Sequence, residues 1–136
     1  MKRCLIIALF PLFWGCNSSL ENVIERNKKL EGSQIDDVTR FDSVDVNNEV
    51  FTYHYTITNS GLDSSQSGFA AGSIIFQIMM EDMLRSQVNL ENEEFRIIHE
   101  SGMNIQFDYQ DFKSNKRIAR ITFMKTPNGY SLMEMN

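Results

Sequence analysis

VFTYHYTIT, residues 50–58, decides the fold, because its side chains alternate without a break. In an extended chain Phe51, Tyr53, Tyr55 and Ile57 fall on one face, and Thr52, His54, Thr56 and Thr58 on the other, the two-residue period of a half-buried strand. Upstream, Val38, Val44 and Val46 share a face of a preceding strand, and Asn47-Asn48 offers residues that tolerate positive φ. Residues 38–59 therefore predict an antiparallel hairpin with one face wet. The aromatic row has two readings. Packed under a helix, Phe51, Tyr53 and Tyr55 are core; facing outward, they would form an aromatic platform for a ligand or partner, and Tyr53, His54 and Tyr55 are the candidate partner-binding residues.

Working outward, NSGLDSSQSG at residues 59–68 is turn-rich and leads into the most apolar part of the chain after its start. Over residues 69–88, Ala70, Ile74, Ile75, Ile78, Met79, Leu84 and Val88 trace a broad helical stripe flanked by Phe76, Met80 and Met83. Glu81, Asp82, Arg85 and Gln87 supply the polar side. Charge at Glu81 arrives too soon for a membrane span. Gly68 and Gly72 form a small-xxx-small pair, which either lets the helix start close to a neighbour or marks helix pairing. Residues 90–101 predict a short helix, with Glu91, Glu93 and Glu94 at its positive end, Phe95 and Ile98 facing inward and Gly102 at the stop.

In residues 103–110, Met103, Ile105, Phe107 and Tyr109 alternate with Asn104, Gln106, Asp108 and Gln110. In residues 117–125, Ala119, Ile121 and Phe123 oppose Arg120, Thr122 and Met124. Pro127-Asn128-Gly129 turns the chain toward a short edge strand within residues 130–135. The order is β-β-α-α-β-β. It predicts an α+β two-layer sandwich: an antiparallel sheet of two hairpins with one long helix packed on one face. This single domain occupies residues 35–136. Residues 17–34, with Leu20, Val23, Ile24 and Leu30 near helical spacing, form a linker or a short helix.

The chain starts MKRCLIIALFPLFWGC, residues 1–16: two cations, an apolar run too short to span a bilayer, then Gly15-Cys16. That ending resembles the lipobox of bacterial lipoproteins. The resemblance implies that residues 1–16 form a lipoprotein signal peptide and that the Cys16 thiol receives a diacylglyceryl group. Phe13 and Trp14 stand where the lipobox prefers Leu and a small residue. The alternative is ordinary cleavage near Ser18 or Ser19 and a soluble secreted protein. Several further stretches resemble a family of small secreted and periplasmic α+β proteins and lipoproteins of bacteria: Asn27-Lys28-Lys29-Leu30, DVTRFDSVDV at residues 37–46, Tyr53-His54-Tyr55-Thr56, Arg96-Ile97-Ile98, Gly102, Tyr109 and Asp111. The shared motifs are structural rather than chemical. They imply a domain in the periplasm or at the cell surface, lipid-anchored to the envelope, with the outer membrane favoured over the inner.

Losing Lys2 and Arg3 with the signal takes the formal charge from −5 to −7, which argues against nucleic acid and against anionic headgroups as partners. The chain has two cysteines, Cys4 and Cys16, so the domain itself carries no disulfide, thiol nucleophile or cysteine-based metal site. His54 and His99 have no spacing that places two imidazoles on one metal, and no metal or cofactor is expected. Ser64, Ser65, Ser67 and Ser73 lack a nucleophile-elbow frame. Asp36, Asp37, Asp42, Asp45, Asp108 and Asp111 fall on polar strand faces or in turns, without the apolar pocket that raises a catalytic acid. The expectation is a membrane-anchored, non-enzymatic lipoprotein that acts through an as yet undefined protein partner. One alternative is an immunity or inhibitor lipoprotein whose acidic surface steers onto a toxin or hydrolase. The other is a small hydrolase using His54 or His99.

Overall fold

The computed structural model describes residues 19–62 and 65–134; Cys16 and the signal lie outside them. Three helices and five strands follow in the order α1 (Ser19–Lys29), β1 (Thr39–Val46), β2 (Val50–Ile57), α2 (Gln66–Gln87), α3 (Glu93–Glu100), β3 (Asn104–Asp111), β4 (Arg117–Thr126) and β5 (Gly129–Leu132). The strands form one open sheet in sequence order, with the helices against one face, the α+β two-layer arrangement that the alternation predicts. Residues 17–34 contribute a helix, α1, whose Val23 is fully buried in the core.

The sheet is mixed rather than wholly antiparallel. β1 with β2, β3 with β4 and β4 with β5 are antiparallel, but β2 and β3, the strands that join the two halves, run parallel. The cause is the length of the connection. The 22 residues of α2 rise about 33 Å, against about 26 Å for an eight-residue strand. The helix thus carries the chain back along the whole sheet, and β3 starts at the end where β2 started. There the Asn104 N–H donates to the Glu49 carbonyl at 2.7 Å.

Two local corrections follow from sterics. The β1–β2 register slips at Asp42: Phe41 pairs with Tyr55 and Ser43 with His54. This bulge shifts the alternation by one, so Phe41 takes the inner face with Val44 and Val46, and Val38 is 37% exposed. The Asn47-Asn48 turn uses no positive φ. It is closed by the Asn47 side chain, whose Oδ1 accepts from the N–H groups of Glu49 (3.0 Å) and Val50 (2.9 Å).

The long helix is rotated from the expected stripe. Leu84, Val88 and Gln77 are buried, whereas Ile74, Ile75, Ile78 and Met79 are 58–65% exposed. Residues 69–80 are apolar nearly all round, so periodicity cannot single out one face, and contact with β4 and β5 chooses the arc. Ser65 caps the helix by accepting from the Gly68 N–H at 3.1 Å. A Cβ on Gly72 would run into the Leu62 side chain, so this glycine permits a close approach between the helix and the segment before it.

The outer face of the sheet is less wet than the alternation suggests. Thr52 and Thr56 are buried although no helix among the described residues packs on that face. Neighbouring polar side chains close over them: Thr52 donates to Gln106 at 3.4 Å, Gln106 donates to Thr122 at 3.0 Å, and Thr56 donates to Asp42 at 2.5 Å.

Candidate functional site

Five strands spaced about 4.8 Å apart present a face roughly 19 Å across, and one helix covers only about 10 Å of it. α2 lies over β4 and β5, while α1 contacts β1 and α3. Between them the inner face of β1, β2 and β3 is only partly roofed, leaving a cavity of about 690 Å³. Phe41, Tyr53, Tyr55, Phe107 and Tyr109 form its floor; Phe76, Met80, Met83 and Leu84 of α2 form a wall. The mouth is apolar, with Leu30, Ile35, Val38 and Met83 between 37% and 59% exposed.

The parallel register builds the floor. Tyr53 pairs with Phe107 and Tyr55 with Tyr109. Directly opposite rings stack, the first pair 5.2 Å apart at 10° and the second 5.1 Å apart at 15°. Phe76 meets Tyr109 edge-on at 5.3 Å, and Phe95 meets Tyr53 edge-on at 6.2 Å. At one end sits Glu94, which accepts from the Tyr53 hydroxyl and from Asn27 Nδ2 at 3.3 Å and lies 3.6 Å from Arg26. Burial and then the Glu94 charge raise the Tyr53 phenol far above its ordinary value. The same two causes push Tyr55 up to about 12. Burial, followed by the neighbouring Tyr55, raises Tyr109 further. All three are therefore neutral hydroxyls near pH 7. Among the described residues the hydroxyls of Tyr55 and Tyr109 meet no protein hydrogen-bond partner.

The structure places Tyr53 and Tyr55 in the cavity and His54 on the opposite face of the sheet. His54 Nδ1 lies 3.6 Å from Asp108, which also accepts from Arg117 at 2.9 Å and Arg120 at 3.0 Å. His99 is on the helical side, with Nε2 2.7 Å from the Thr126 carbonyl and its ring 5.3 Å from Tyr130. The two histidines share no cleft. Among the other aspartates, Asp36 accepts from the N–H groups of Val38 and Thr39, and Asp111 accepts from Ser60 and Ser114. Asp42 receives Arg40 at 2.9 Å as well as Thr56. Among the described residues no group of three His, Cys, Asp or Glu side chains is placed to hold a metal ion.

Glu94, Phe76 and Tyr109 are the site residues that alternation and helical spacing alone do not single out. The available signal is compositional: three tyrosines, Tyr53, Tyr55 and Tyr109, fall on faces predicted to be core, and buried phenols need somewhere to put their hydroxyls.

No protein-family model matches the chain, and no curated protein matches it. The fold is similar to a crystal structure of a protein from Pseudomonas aeruginosa inferred to be secreted, at a TM-score of 0.61 and 16% sequence identity, over 80% of this chain and 88% of that one. The likeness is in the α+β fold. No helix among the described residues is long and apolar enough to cross a membrane.

Proposed function

We propose that the chain is a lipid-anchored binding protein of the bacterial cell envelope, held by a diacylglyceryl group on Cys16, which takes a small apolar molecule into the cavity between sheet and helices. One observation carries the binding reading. A space of about 690 Å³, walled by aromatic and thioether side chains with a few hydroxyls and two carboxylates, Asp36 and Glu94, along it, has the size and lining of a small-molecule site. The row that would have met a protein partner faces inward, so the same residues serve a smaller guest. The signal ending in Gly15-Cys16 supports the anchor. Two histidines on opposite sides of the sheet, each held by its own partner, give hydrolysis no constellation.

The test is titration of the purified chain with the uncharged fluorophore N-phenyl-1-naphthylamine. Saturable binding of about one molecule per chain is expected. It should weaken by about tenfold or more in Met80→Trp, which fills the cavity, and stay unchanged in Ile78→Ser on the outer side of α2. Binding that does not saturate, or that ignores both Met80→Trp and Phe76→Trp, overturns the reading.

A further inference from the structure

We infer that the cavity selects an uncharged acyl chain bearing an ester or amide carbonyl, the carbonyl oxygen accepting from the hydroxyls of Tyr55 and Tyr109 and the chain lying along Phe76, Met80 and Met83 toward the mouth. This rests on the proposal that the cavity is a binding site, and it adds what is bound.

Two sets of polar groups meet the aromatic floor, at Glu94 and at the paired tyrosines. Those at Glu94 are spent on one another, because the carboxylate already receives Tyr53, Asn27 and Arg26. Those of Tyr55 and Tyr109 are not. Each phenol has one O–H to donate, and neither meets a protein acceptor among the described residues. On a floor of stacked aromatic rings, a hydrogen bond from either hydroxyl to a ligand acceptor is stronger than the same bond in bulk water.

Geometry then limits the acceptor. The two rings spring from paired positions, are within 15° of parallel and lie 5.1 Å apart, so the two phenols stand side by side on the cavity floor. Each can donate to a ligand acceptor seated beside them. An oxygen that takes two donors and carries no proton of its own fits best, which is a carbonyl.

Charge excludes the obvious rival, a free fatty acid. Among the described residues the charged ones lining the cavity are Asp36 and Glu94, both acidic, with no lysine or arginine beside them. A ligand carboxylate would lose its hydration without gaining a cation, and would face Glu94. The remaining lining, from Phe76, Met80, Met83 and Leu84 to the exposed Leu30 and Ile35, is suited to a flexible hydrocarbon tail, since methionines adapt to irregular shapes.

Competition against bound N-phenyl-1-naphthylamine separates these chemistries, using methyl laurate, laurate and dodecane at pH 8. Methyl laurate should displace the probe at concentrations about tenfold below either rival. In the double variant Tyr55→Phe, Tyr109→Phe the ester should fall to the level of dodecane, each competitor being read against that variant's own affinity for the probe. Probe binding with laurate as the best competitor, or with the ester preference intact in the double variant, overturns the ligand assignment and leaves the binding site standing. Failure of the wild-type chain to bind the probe at all removes both.

Discussion

The rotation of α2 can be tested by one pair of substitutions that the sequence pattern places on one stripe and the structure separates. Leu84 is 5% exposed and Ile78 is 60% exposed. Truncating a buried leucine to alanine costs ~2–5 kcal/mol. Leu84 borders existing empty space, so fewer packed neighbours are lost and Leu84→Ala should cost about 2–3 kcal/mol. Full burial of an isoleucine side chain is worth ~1.5–3 kcal/mol. With only two-fifths of Ile78 covered, Ile78→Ser should cost at most about 1 kcal/mol, and the helix propensities of the two residues nearly cancel. Urea unfolding followed by far-UV circular dichroism reads both as shifts in midpoint at constant slope. A cost for Ile78→Ser equal to or above that for Leu84→Ala would refute the orientation. It would mean that the aliphatic row Ile74, Ile75 and Ile78 packs on the sheet.

The four tyrosines supply an alkaline test, since Tyr53, Tyr55, Tyr109 and Tyr130 all have phenols raised above the ordinary value of 10, first of all by burial. Raised folded values add stability that is complete below pH 10 and is lost as pH climbs past it. Absorbance at 295 nm should therefore show almost no phenolate in the folded chain at pH 10, then a joint rise as the chain unfolds. At Asp111 burial pushes the carboxyl upward, but hydrogen bonds from Ser114 and Ser60 outweigh it and hold it below 3.8. The stabilisation is present above the unfolded value and fades as pH falls through the folded one. Asp111→Asn should thus cost about 1 kcal/mol at pH 7 and progressively less below about pH 4, measured by thermal unfolding across that range. For the anchor, Cys16→Ser should move the chain from the membrane fraction to the soluble fraction of disrupted cells. Retention in the membrane would show that something other than a lipid on Cys16 holds it.

The five strands and the helices α2 and α3 are legible in the sequence, because a two-residue alternation and a long apolar run are local signals, whereas residues 17–34 read equally as a linker or a short helix. What local signals cannot carry is how elements meet. Nothing within residues 103–110 says that β3 runs alongside β2 in the same direction; the return stroke of α2 decides that. The Asp42 bulge is invisible because Val38, Val44 and Val46 keep a consistent spacing, and only pairing with β2 reveals that Phe41 takes the inward place. The cavity was hidden for a related reason. Its floor reads as core, and whether a core is filled depends on where the helices rest on the sheet. Glu94 reads as ordinary acid at a helix start, and it gains its role from Tyr53, which lies far from it in the chain.

The parallel seam between β2 and β3 also orders the folding of the chain. β1 with β2, and β3 with β4 and β5, are hairpin neighbours that can form from local contacts, whereas the seam joins residues 54 positions apart, as with Thr52 and Gln106. Closing that long loop is the slow, entropically demanding event. Both stacked pairs of the cavity floor, Tyr53 with Phe107 and Tyr55 with Tyr109, straddle the seam, so the floor does not exist until the two halves have zipped together. A guest seated on those rings would bind only the joined state, and would slow its reopening.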